Sequence, residues 1–189
     1  MKKTNIGFIK SAFSSNEWIN DDIVEVAFVG RSNVGKSSLI NSLAKKKIAI
    51  VSKTPGRTQL ANFYGFNNFR IIDLPGYGYA KASKFKKDDL IKVIDNILLF
   101  RKNLFTIYLI CDINVVTQTD LDVYNYLSKK FKHLYIVLNK ADRYSLKFYK
   151  NNLTKISHYL NVGIDKFIIT STFKNLNINF LLNHIKQTI

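Results

Sequence analysis

An eight-residue loop at residues 30–37, with the sequence GRSNVGKS, restricts the fold more than any other segment. The apolar run Val24–Val29 precedes it, and the residues from Lys36 to Ala44 favour a helix. This is the pattern of a phosphate-binding loop between a strand and a helix. Its glycines let backbone N–H groups turn toward phosphate oxygens, and the helix N-terminus adds positive potential. We therefore expect Lys36 to reach the β- and γ-phosphates of a nucleotide and the Ser37 hydroxyl to coordinate Mg²⁺.

Short apolar runs alternate with longer amphipathic runs along the chain. The predicted strands are Val24–Val29, Asn62–Phe66, Phe69–Ile72, Leu104–Ile110, Leu134–Leu138 and Phe167–Thr170, with a hairpin through Asn67-Asn68. The predicted helices are Lys36–Ala44, Lys87–Lys102, Gln118–Lys130, Leu146–Leu160 and Leu176–Gln187. This alternation predicts an α/β fold with a mainly parallel sheet and helices on both faces. Because no repeat or linker interrupts it, we expect a single domain over residues 1–189.

A second motif, Asp73-Leu74-Pro75-Gly76, follows the predicted strand Phe69–Ile72. A carboxylate at the end of such a strand can hold Mg²⁺ through water. The N–H of Gly76 can meet a γ-phosphate only when that phosphate is present. Alone this sequence would indicate a turn, but its place about forty residues after a phosphate loop favours a nucleotide site.

A third motif, Asn139-Lys140-Ala141-Asp142, follows the predicted strand Leu134–Leu138. Two acceptor oxygens on Asp142 suit the N1–H and N2–H₂ donors of guanine, and adenine has no matching pair. Lys140 would lay its stem over the base, and Asn139 would tie the loops together. The end of a strand is where open α/β sheets bind ligands, so this motif favours GTP over ATP.

Two further segments complete the predicted site, and the first of them is the least specific. Backbone N–H groups of Ser171-Thr172-Phe173 could donate to the guanine O6, although an ordinary turn has the same composition. The polar run Ser52–Gln59 is the predicted switch that senses the γ-phosphate, with Thr58 as the Mg²⁺ ligand. The alternative for this run is a surface loop that closes over nothing.

Charge points to a polyanionic partner. The 189 residues include 29 Lys+Arg and 13 Asp+Glu, which gives a formal net charge of +16. A hydrophobic share of 47% indicates a folded protein and excludes a disordered basic tail. A coding bias toward lysine would explain the charge without function, but such a bias should favour glutamate too, and Glu17 and Glu25 are the only two. We therefore expect a surface that faces nucleic acid or an acidic membrane.

Several other classes of protein are excluded. Cys111 is the only cysteine, so neither a disulfide framework nor a cysteine zinc site is possible. No apolar run approaches the roughly 18 residues of a membrane span, and the first residues do not read as a signal peptide. We expect a cytoplasmic protein that acts as a monomer.

Three segments together, GRSNVGKS, SKTPGRTQ and DLPGYGYA, closely resemble the EngB (YihA/YsxC) family of bacterial GTPases, within the TrmE-Era-EngA-EngB-septin-like superfamily. The resemblance runs from about Asn5 to the last helix, and the middle segment is its most specific part. It implies a Ras-like P-loop GTPase domain with a sheet of six to seven strands, Mg²⁺-dependent binding of GTP or GDP, and slow hydrolysis. It also implies a role in assembly of the large ribosomal subunit, associated with cell division and septation.

By this resemblance the nucleotide contacts come from five segments. They are Gly30, Arg31, Ser32, Asn33, Val34, Gly35, Lys36 and Ser37; Gly56, Arg57, Thr58, Gln59 and Leu60; Asp73, Leu74, Pro75 and Gly76; Asn139, Lys140, Ala141 and Asp142; and Thr170, Ser171 and Thr172. Ser37, Thr58 and Asp73 would hold Mg²⁺, and Lys36, Thr58 and Gly76 would act in catalysis. Asn177 departs from the family, which usually has glycine there.

Tyr77 stands where Ras-type enzymes carry a glutamine that orients the attacking water. A phenol cannot easily replace that amide, so hydrolysis should be slow without help. Two activators are open: K⁺, held by Asn33 as in potassium-dependent relatives, and the ribosomal particle acting in trans.

The lysines after Gly76, namely Lys81, Lys84, Lys86 and Lys87, could form an RNA-binding face gated by GTP, or only a solvated loop. A second cluster, Lys45-Lys46-Lys47, would also suit a helix C-terminus. Three functions follow from these alternatives. They are a GTPase switch on a large-subunit precursor, a GTPase at the division machinery without RNA, and a GTP-sensing RNA-binding module whose hydrolysis is incidental.

Overall fold

The computed structural model describes residues 4–51, 60–78, 94–143 and 146–189. Its strands are β1 (Thr4–Ala12), β2 (Glu25–Gly30), β3 (Ala61–Asn67), β4 (Phe69–Asp73), β5 (Leu104–Asp112), β6 (Leu134–Asn139) and β7 (Phe167–Ile169). Its helices are α1 (Lys36–Ala44), α2 (residues 94–100), α3 (Gln118–Ser128), α4 (Leu146–Leu160) and α5 (Ile178–Gln187). The predictions on residues 52–59 and 79–93 lie outside the described residues.

One sheet contains all the described strands, in the order β1-β3-β4-β2-β5-β6-β7. The strands from β4 to β7 in this order run parallel to one another, and β1 and β3 add an antiparallel edge. The predicted mainly parallel sheet of six to seven strands is therefore confirmed, with seven. The predicted hairpin is also confirmed, since β3 and β4 pair antiparallel and Asn67 takes a positive φ of 52° at the turn.

Alternation along the central strand explains why helices cover both faces. Every residue of β2 is buried, and successive side chains of a strand point to opposite faces. Val26 and Phe28 join a core with the buried side chains of α1 and α5, and Ala27 and Val29 join a second core with those of α2, α3 and α4.

A buried ion network fixes the sheet at the end opposite the strand C-termini. Glu25 and Arg70 are 0% and 1% exposed, and Arg70 Nε lies 2.8 Å from Glu25 Oε1. Arg101 Nε lies 2.6 Å from the other Glu25 oxygen, and Arg70 also donates to Asp21. The hydrogen bond from Arg70 holds the pKa of Asp21 below its usual range. Because buried charges are tolerated only when paired, this network joins the N-terminal ends of β2 and β4.

The structure corrects several predicted boundaries. Strand β1 was missed entirely, and α5 begins at Ile178 instead of Leu176 because Leu176 bridges back to Ser171. Asn177, the departure from the family pattern, takes a positive φ of 55° and caps α5, so asparagine adopts here the conformation that glycine favours. The helices α2 and α3 end two residues earlier than predicted, and β7 ends one residue earlier.

Candidate nucleotide-binding site

The predicted site residues that the structure describes gather at one edge of the sheet. Because β2, β4, β6 and β7 run parallel, their C-terminal ends carry Gly30, Asp73, Asn139 and Thr170 to the same side. This is the edge at which open α/β sheets bind ligands. Residues that are distant in sequence therefore meet in one place.

The phosphate loop depends on glycine at its turn into α1. Gly35 has a φ of +100°, and a Cβ on this residue would lie 2.4 Å from Nδ2 of Asn139. Any side chain here would strain the backbone and displace Asn139. The helix then begins at Lys36, so the N-terminus of α1 faces the concave side of the loop.

Lys36 is held in place by the loop that precedes it. Its Nζ donates to the Gly30 carbonyl at 3.0 Å and to the Arg31 carbonyl at 3.4 Å, and the residue is only 8% exposed. Burial lowers the pKa of Lys36, and the nearby Asp73 carboxylate opposes this effect. The ammonium is thus fixed beneath the loop before any phosphate arrives.

Ser37 and Asp73 form a pair suited to a divalent cation. The Ser37 hydroxyl donates to Asp73 Oδ2 at 3.0 Å, while Asp73 Oδ1 is buried without a hydrogen-bond partner in the described part of the chain. Burial raises the pKa of Asp73, although Lys36 and Ser37 both lower it. A buried carboxylate oxygen without a donor is unfavourable unless something else binds it. Oxygen ligands of this kind are what Mg²⁺ prefers, so the residues present fit the metal; Thr58 lies outside the described residues.

Asn139 joins the two halves of the site. It is fully buried, and its Nδ2 donates to the Val34 carbonyl at 2.9 Å. Its Oδ1 accepts a hydrogen bond from Thr170 Oγ1 at 3.2 Å. One amide thus ties the phosphate loop to the loop that follows β7, in the linking role expected for this residue.

Asp142 is oriented by a buried hydroxyl. Ser171, which is 0% exposed, donates from Oγ to Asp142 Oδ1 at 2.5 Å, and the same Oγ accepts the Lys174 N–H at 3.1 Å. Because a carboxylate oxygen accepts and the backbone N–H of Lys174 can only donate, the proton of the Ser171 hydroxyl goes to Asp142. This contact fixes the carboxylate of Asp142 in the loop that follows β6.

Sequence reasoning missed two buried carboxylates that contact predicted site residues. Asp112 ends β5 and forms an ion pair with Lys140, with Nζ to Oδ2 at 2.9 Å. Burial raises the pKa of Asp112, but the hydrogen bonds from Lys140 and Asn114 outweigh it, and the pKa falls below its usual range. The position of Asp112 at the end of a parallel strand could have indicated its place near the site.

Asp120 is the second missed carboxylate, and it binds the side chains of Arg31 and Tyr77. The spacing of Thr117 and Asp120 predicts only a capping box for α3. That capping box is present. Nothing in the sequence indicated the additional contacts.

Other predicted contacts fall into three groups. Val34, Leu74 and Ala141 are at most 4% exposed in the core, so they can offer only backbone atoms to a ligand. Leu60 is 38% exposed at the start of the described residues after the gap. Gly56, Arg57, Thr58 and Gln59 lie outside the described residues.

Comparison with known proteins agrees with this geometry. A family model described as "50S ribosome-binding GTPase" matches residues 25–140, more than half of the chain. A "Probable GTP-binding protein EngB" from Malacoplasma penetrans (strain HF-2) is 54% identical over 96% of this chain and 98% of its own length.

Two solved structures share the fold. The crystal structure of a probable GTP-binding protein engB has a TM-score of 0.73 at 24% identity and covers 88% of this chain and 98% of its own. Era, solved in complex with MgGDPNP and nucleotides 1506–1542 of 16S ribosomal RNA, has a TM-score of 0.71 at 24% identity and covers 88% of this chain and 57% of its own.

The phosphate loop, the order of strands in the sheet and the matching family model define a Ras-like P-loop GTPase. Sequence identity this high over nearly the whole length shows membership of a family, which a shared fold alone would not. The chain belongs to the EngB family of GTP-binding proteins. Within the described residues, no helix has the length and apolar character needed to cross a membrane.

Proposed function

We propose that this chain is a Mg²⁺-dependent GTPase with a low intrinsic rate that acts as a switch during assembly of the large ribosomal subunit. The observation that carries the Mg²⁺ dependence is the buried Oδ1 of Asp73, which has no hydrogen-bond partner among the residues that the structure describes and lies beside the Ser37 hydroxyl and the Lys36 ammonium. The guanine preference rests on the Ser171–Asp142 contact in the same site. The single domain spans the chain and acts as a monomer.

Each residue of the phosphate half has a distinct role in this proposal. Lys36 neutralises charge on the β- and γ-phosphates, and the loop carbonyls that already hold its Nζ keep it oriented. Ser37, Asp73 and, outside the described residues, Thr58 hold Mg²⁺, which when bound offsets charge on the phosphate oxygens. Gly76 donates its N–H to the γ-phosphate, and GDP offers this group no partner.

The low rate follows from where Tyr77 points. Its hydroxyl donates to Asp120 at 2.9 Å, on the N-terminal turn of α3. The residue in the position of the water-orienting glutamine is therefore engaged elsewhere, and the described residues place no substitute for that amide. A site that binds and orients GTP but has no group to orient the attacking water should hydrolyse GTP slowly.

K⁺ is one candidate activator. Asn33 lies in the phosphate loop with a φ of 67°, at the position where potassium-dependent relatives have an asparagine ligand. Hydrolysis measured in K⁺ and in Na⁺ at equal ionic strength tests this directly. A several-fold faster rate in K⁺ supports the proposal, and equal rates leave the ribosomal particle as the activator.

The ribosomal partner is supported by charge. A net charge of +16 greatly exceeds what one nucleotide needs, and Lys45, Lys46 and Lys47 are all exposed at the end of α1. Lys45 has a positive φ of 53° as the residue after the helix, so this cluster serves partly as a helix terminus. A large-subunit precursor as partner also implies a cytoplasmic protein. The description of the matching family model as ribosome-binding agrees with this choice.

Co-sedimentation with large-subunit precursors tests the proposed partner. Binding is measured with a non-hydrolysable GTP analogue, with GDP and without nucleotide, each across a salt series. We expect tighter binding with the analogue and a steep loss with salt, because released counterions drive contacts with RNA phosphates. Equal binding with all three nucleotide states would contradict the proposed switch. No binding to the precursors would contradict the ribosomal partner and favour a protein partner at the division machinery.

A Lys36→Ala variant separates a switch from an incidental hydrolase. It should bind RNA through its basic surface but fail to support subunit assembly in cells, because the nucleotide-dependent step is lost. Normal assembly with this variant would mean that nucleotide turnover is not needed. Lys186→Ala is the matched control, since it removes an exposed lysine in the last turn of α5, outside the proposed site and the lysine clusters.

A further inference from the structure

One buried carboxylate outside the predicted nucleotide contacts joins three segments of the chain. Asp120 is 0% exposed, in the first turn of α3. Its Oδ1 accepts the Tyr77 hydroxyl at 2.9 Å and Arg31 Nε at 3.1 Å. Its Oδ2 accepts the N–H and the hydroxyl of Thr117, each at 2.9 Å. The phosphate loop and the segment after Asp73 thus share one anchor.

The backbones of the same two segments are also in contact. Arg31 and Tyr77 form a parallel bridge, and the Ser32 N–H donates to the Tyr77 carbonyl at 3.1 Å. A Cβ on Gly76 would lie 2.8 Å from the Ser32 nitrogen, so only glycine can approach the loop this closely. Gly76 is therefore fixed beside the phosphate loop, where its N–H would have to lie to meet a γ-phosphate.

The bond between Tyr77 and Asp120 is separable from the rest of the anchor. Burial, with smaller effects from Cys111 and Asp120, raises the pKa of Tyr77, so its hydroxyl stays protonated and donates. Arg31 has a second acceptor in the Val115 carbonyl, besides its ion pair with Asp120. Removal of the Tyr77 hydroxyl alone therefore leaves Asp120 paired and α3 capped.

We propose that Asp120 is a positioning residue that, through Tyr77, holds Gly76 against the phosphate loop and thereby favours the nucleotide with a γ-phosphate. The proposal rests on the role of Gly76 given above. An N–H group that is already in place needs no ordering when the γ-phosphate binds. GDP has no group that this N–H could meet. The anchor therefore raises the affinity for a nucleotide with a γ-phosphate relative to the affinity for GDP.

Tyr77→Phe tests this positioning role. Affinities for GDP and for a non-hydrolysable GTP analogue are measured by titration calorimetry with Mg²⁺ present. We expect affinity for the analogue to fall about 5- to 20-fold relative to GDP, within the usual range of coupling between two sites. Affinity for GDP should stay within about twofold, since this hydrogen bond does not face its phosphates.

Tyr126→Phe is the matched control. The Tyr126 hydroxyl also donates to an aspartate, Asp95, at 3.1 Å, and it lies on the same helix as Asp120. The same atom is removed from the same kind of hydrogen bond, away from the phosphate loop. Both affinities should therefore match those of the unchanged chain.

An unchanged affinity ratio in a folded Tyr77→Phe protein would overturn the proposal. Equal losses for both nucleotides would also overturn it, because a merely structural contact acts on both. Asp120→Asn provides a second test, and it should lower the same ratio at least as far. The proposed function fails separately, if the unchanged chain shows no Mg²⁺-dependent binding of guanine nucleotides.

Discussion

Replacement of Asp142 by asparagine should transfer the specificity of this site from guanine to xanthine nucleotides. In the structure Ser171 Oγ accepts the Lys174 N–H and directs its own proton to Oδ1 of residue 142. In the variant that proton fixes the amide oxygen at the same place, so the NH₂ group occupies the position of Oδ2. A donor would then face the donors of guanine, whereas xanthine presents a carbonyl there.

The expected loss follows from the two hydrogen bonds that the carboxylate can accept from guanine. Hydrogen bonds to charged groups contribute about 1.5–3 kcal/mol each. The amide oxygen can still accept the N1–H of guanine, so only the bond to N2–H₂ is lost, which corresponds to about 10- to 10²-fold weaker GDP binding at tenfold per 1.4 kcal/mol. Affinity for xanthosine diphosphate should rise, because the fixed amide matches its N1–H and its carbonyl.

Competition against a fluorescent guanine nucleotide measures both affinities in one assay. Asp165→Asn is the control, since it makes the same chemical change at an exposed turn before β7. Its affinities should equal those of the unchanged chain. If Asp142→Asn keeps its preference for guanine, neither the assigned role of Asp142 nor its orientation by Ser171 can stand.

Three other perturbations test the surrounding structure. Gly35→Ala should abolish nucleotide binding and reduce stability by about 1–3 kcal/mol, because the positive φ is strained and the new Cβ meets Asn139, as calorimetry and urea unfolding can measure. Glu25→Gln should lower the free energy of unfolding by about 3–5 kcal/mol, since it leaves the buried Arg70 without its full partner. Burial, aided by Lys166, lowers the pKa of His184 below its usual 6.5, so the unfolded chain takes up a proton first and stability should fall as the pH drops below that value. His184→Gln should flatten this pH dependence of the melting temperature.

Controls for these three use the same substitutions at exposed or open positions. Gly7→Ala should be harmless, because a Cβ there meets no atom within 4 Å. Glu17→Gln and His158→Gln change exposed residues and should preserve stability and its pH dependence. A Gly35→Ala protein that binds nucleotide normally would refute the close approach to Asn139, and unchanged stability in Glu25→Gln would refute the role of the ion network.

Local pattern was sufficient to predict the elements that build the nucleotide site. The strand before the phosphate loop and the helix after it lie within one residue of the predicted bounds, because buried parallel strands read as continuous apolar runs. Strand β1 was not predicted because Gly7 and polar residues interrupt its alternation of apolar and polar side chains, and its register shifts between Phe8 and Lys10. The early start predicted for α5 came from helical spacing that continues back to Leu176, where the chain is bridged to Ser171 instead.

Contacts between distant segments were the part that sequence could not supply. The motifs named Asp142 and Asn139, but the Ser171 hydroxyl and the Val34 carbonyl that orient them lie 29 and 105 residues away. Asp120 is 89 residues from Arg31, and its sequence context indicates only a helix cap. Such partners are set by the order of strands in the sheet, and a single sequence gives no measure of that order.

Several acidic residues lie inside the protein, and this affects the charge of the exposed surface. Four of the described acidic residues are buried, namely Glu25, Asp73, Asp112 and Asp120. Each lies beside a cationic side chain, in the ion network, in the phosphate loop or in the loop after β6. These four carboxylates are paired with internal cations, so nine of the 13 acidic residues remain to offset the other basic residues. The surface that a partner meets is therefore more uniformly basic than the ratio of 29 to 13 suggests. A coding bias toward lysine should supply glutamates as well, and the chain has only two, so the basic exterior is consistent with the polyanionic partner proposed above.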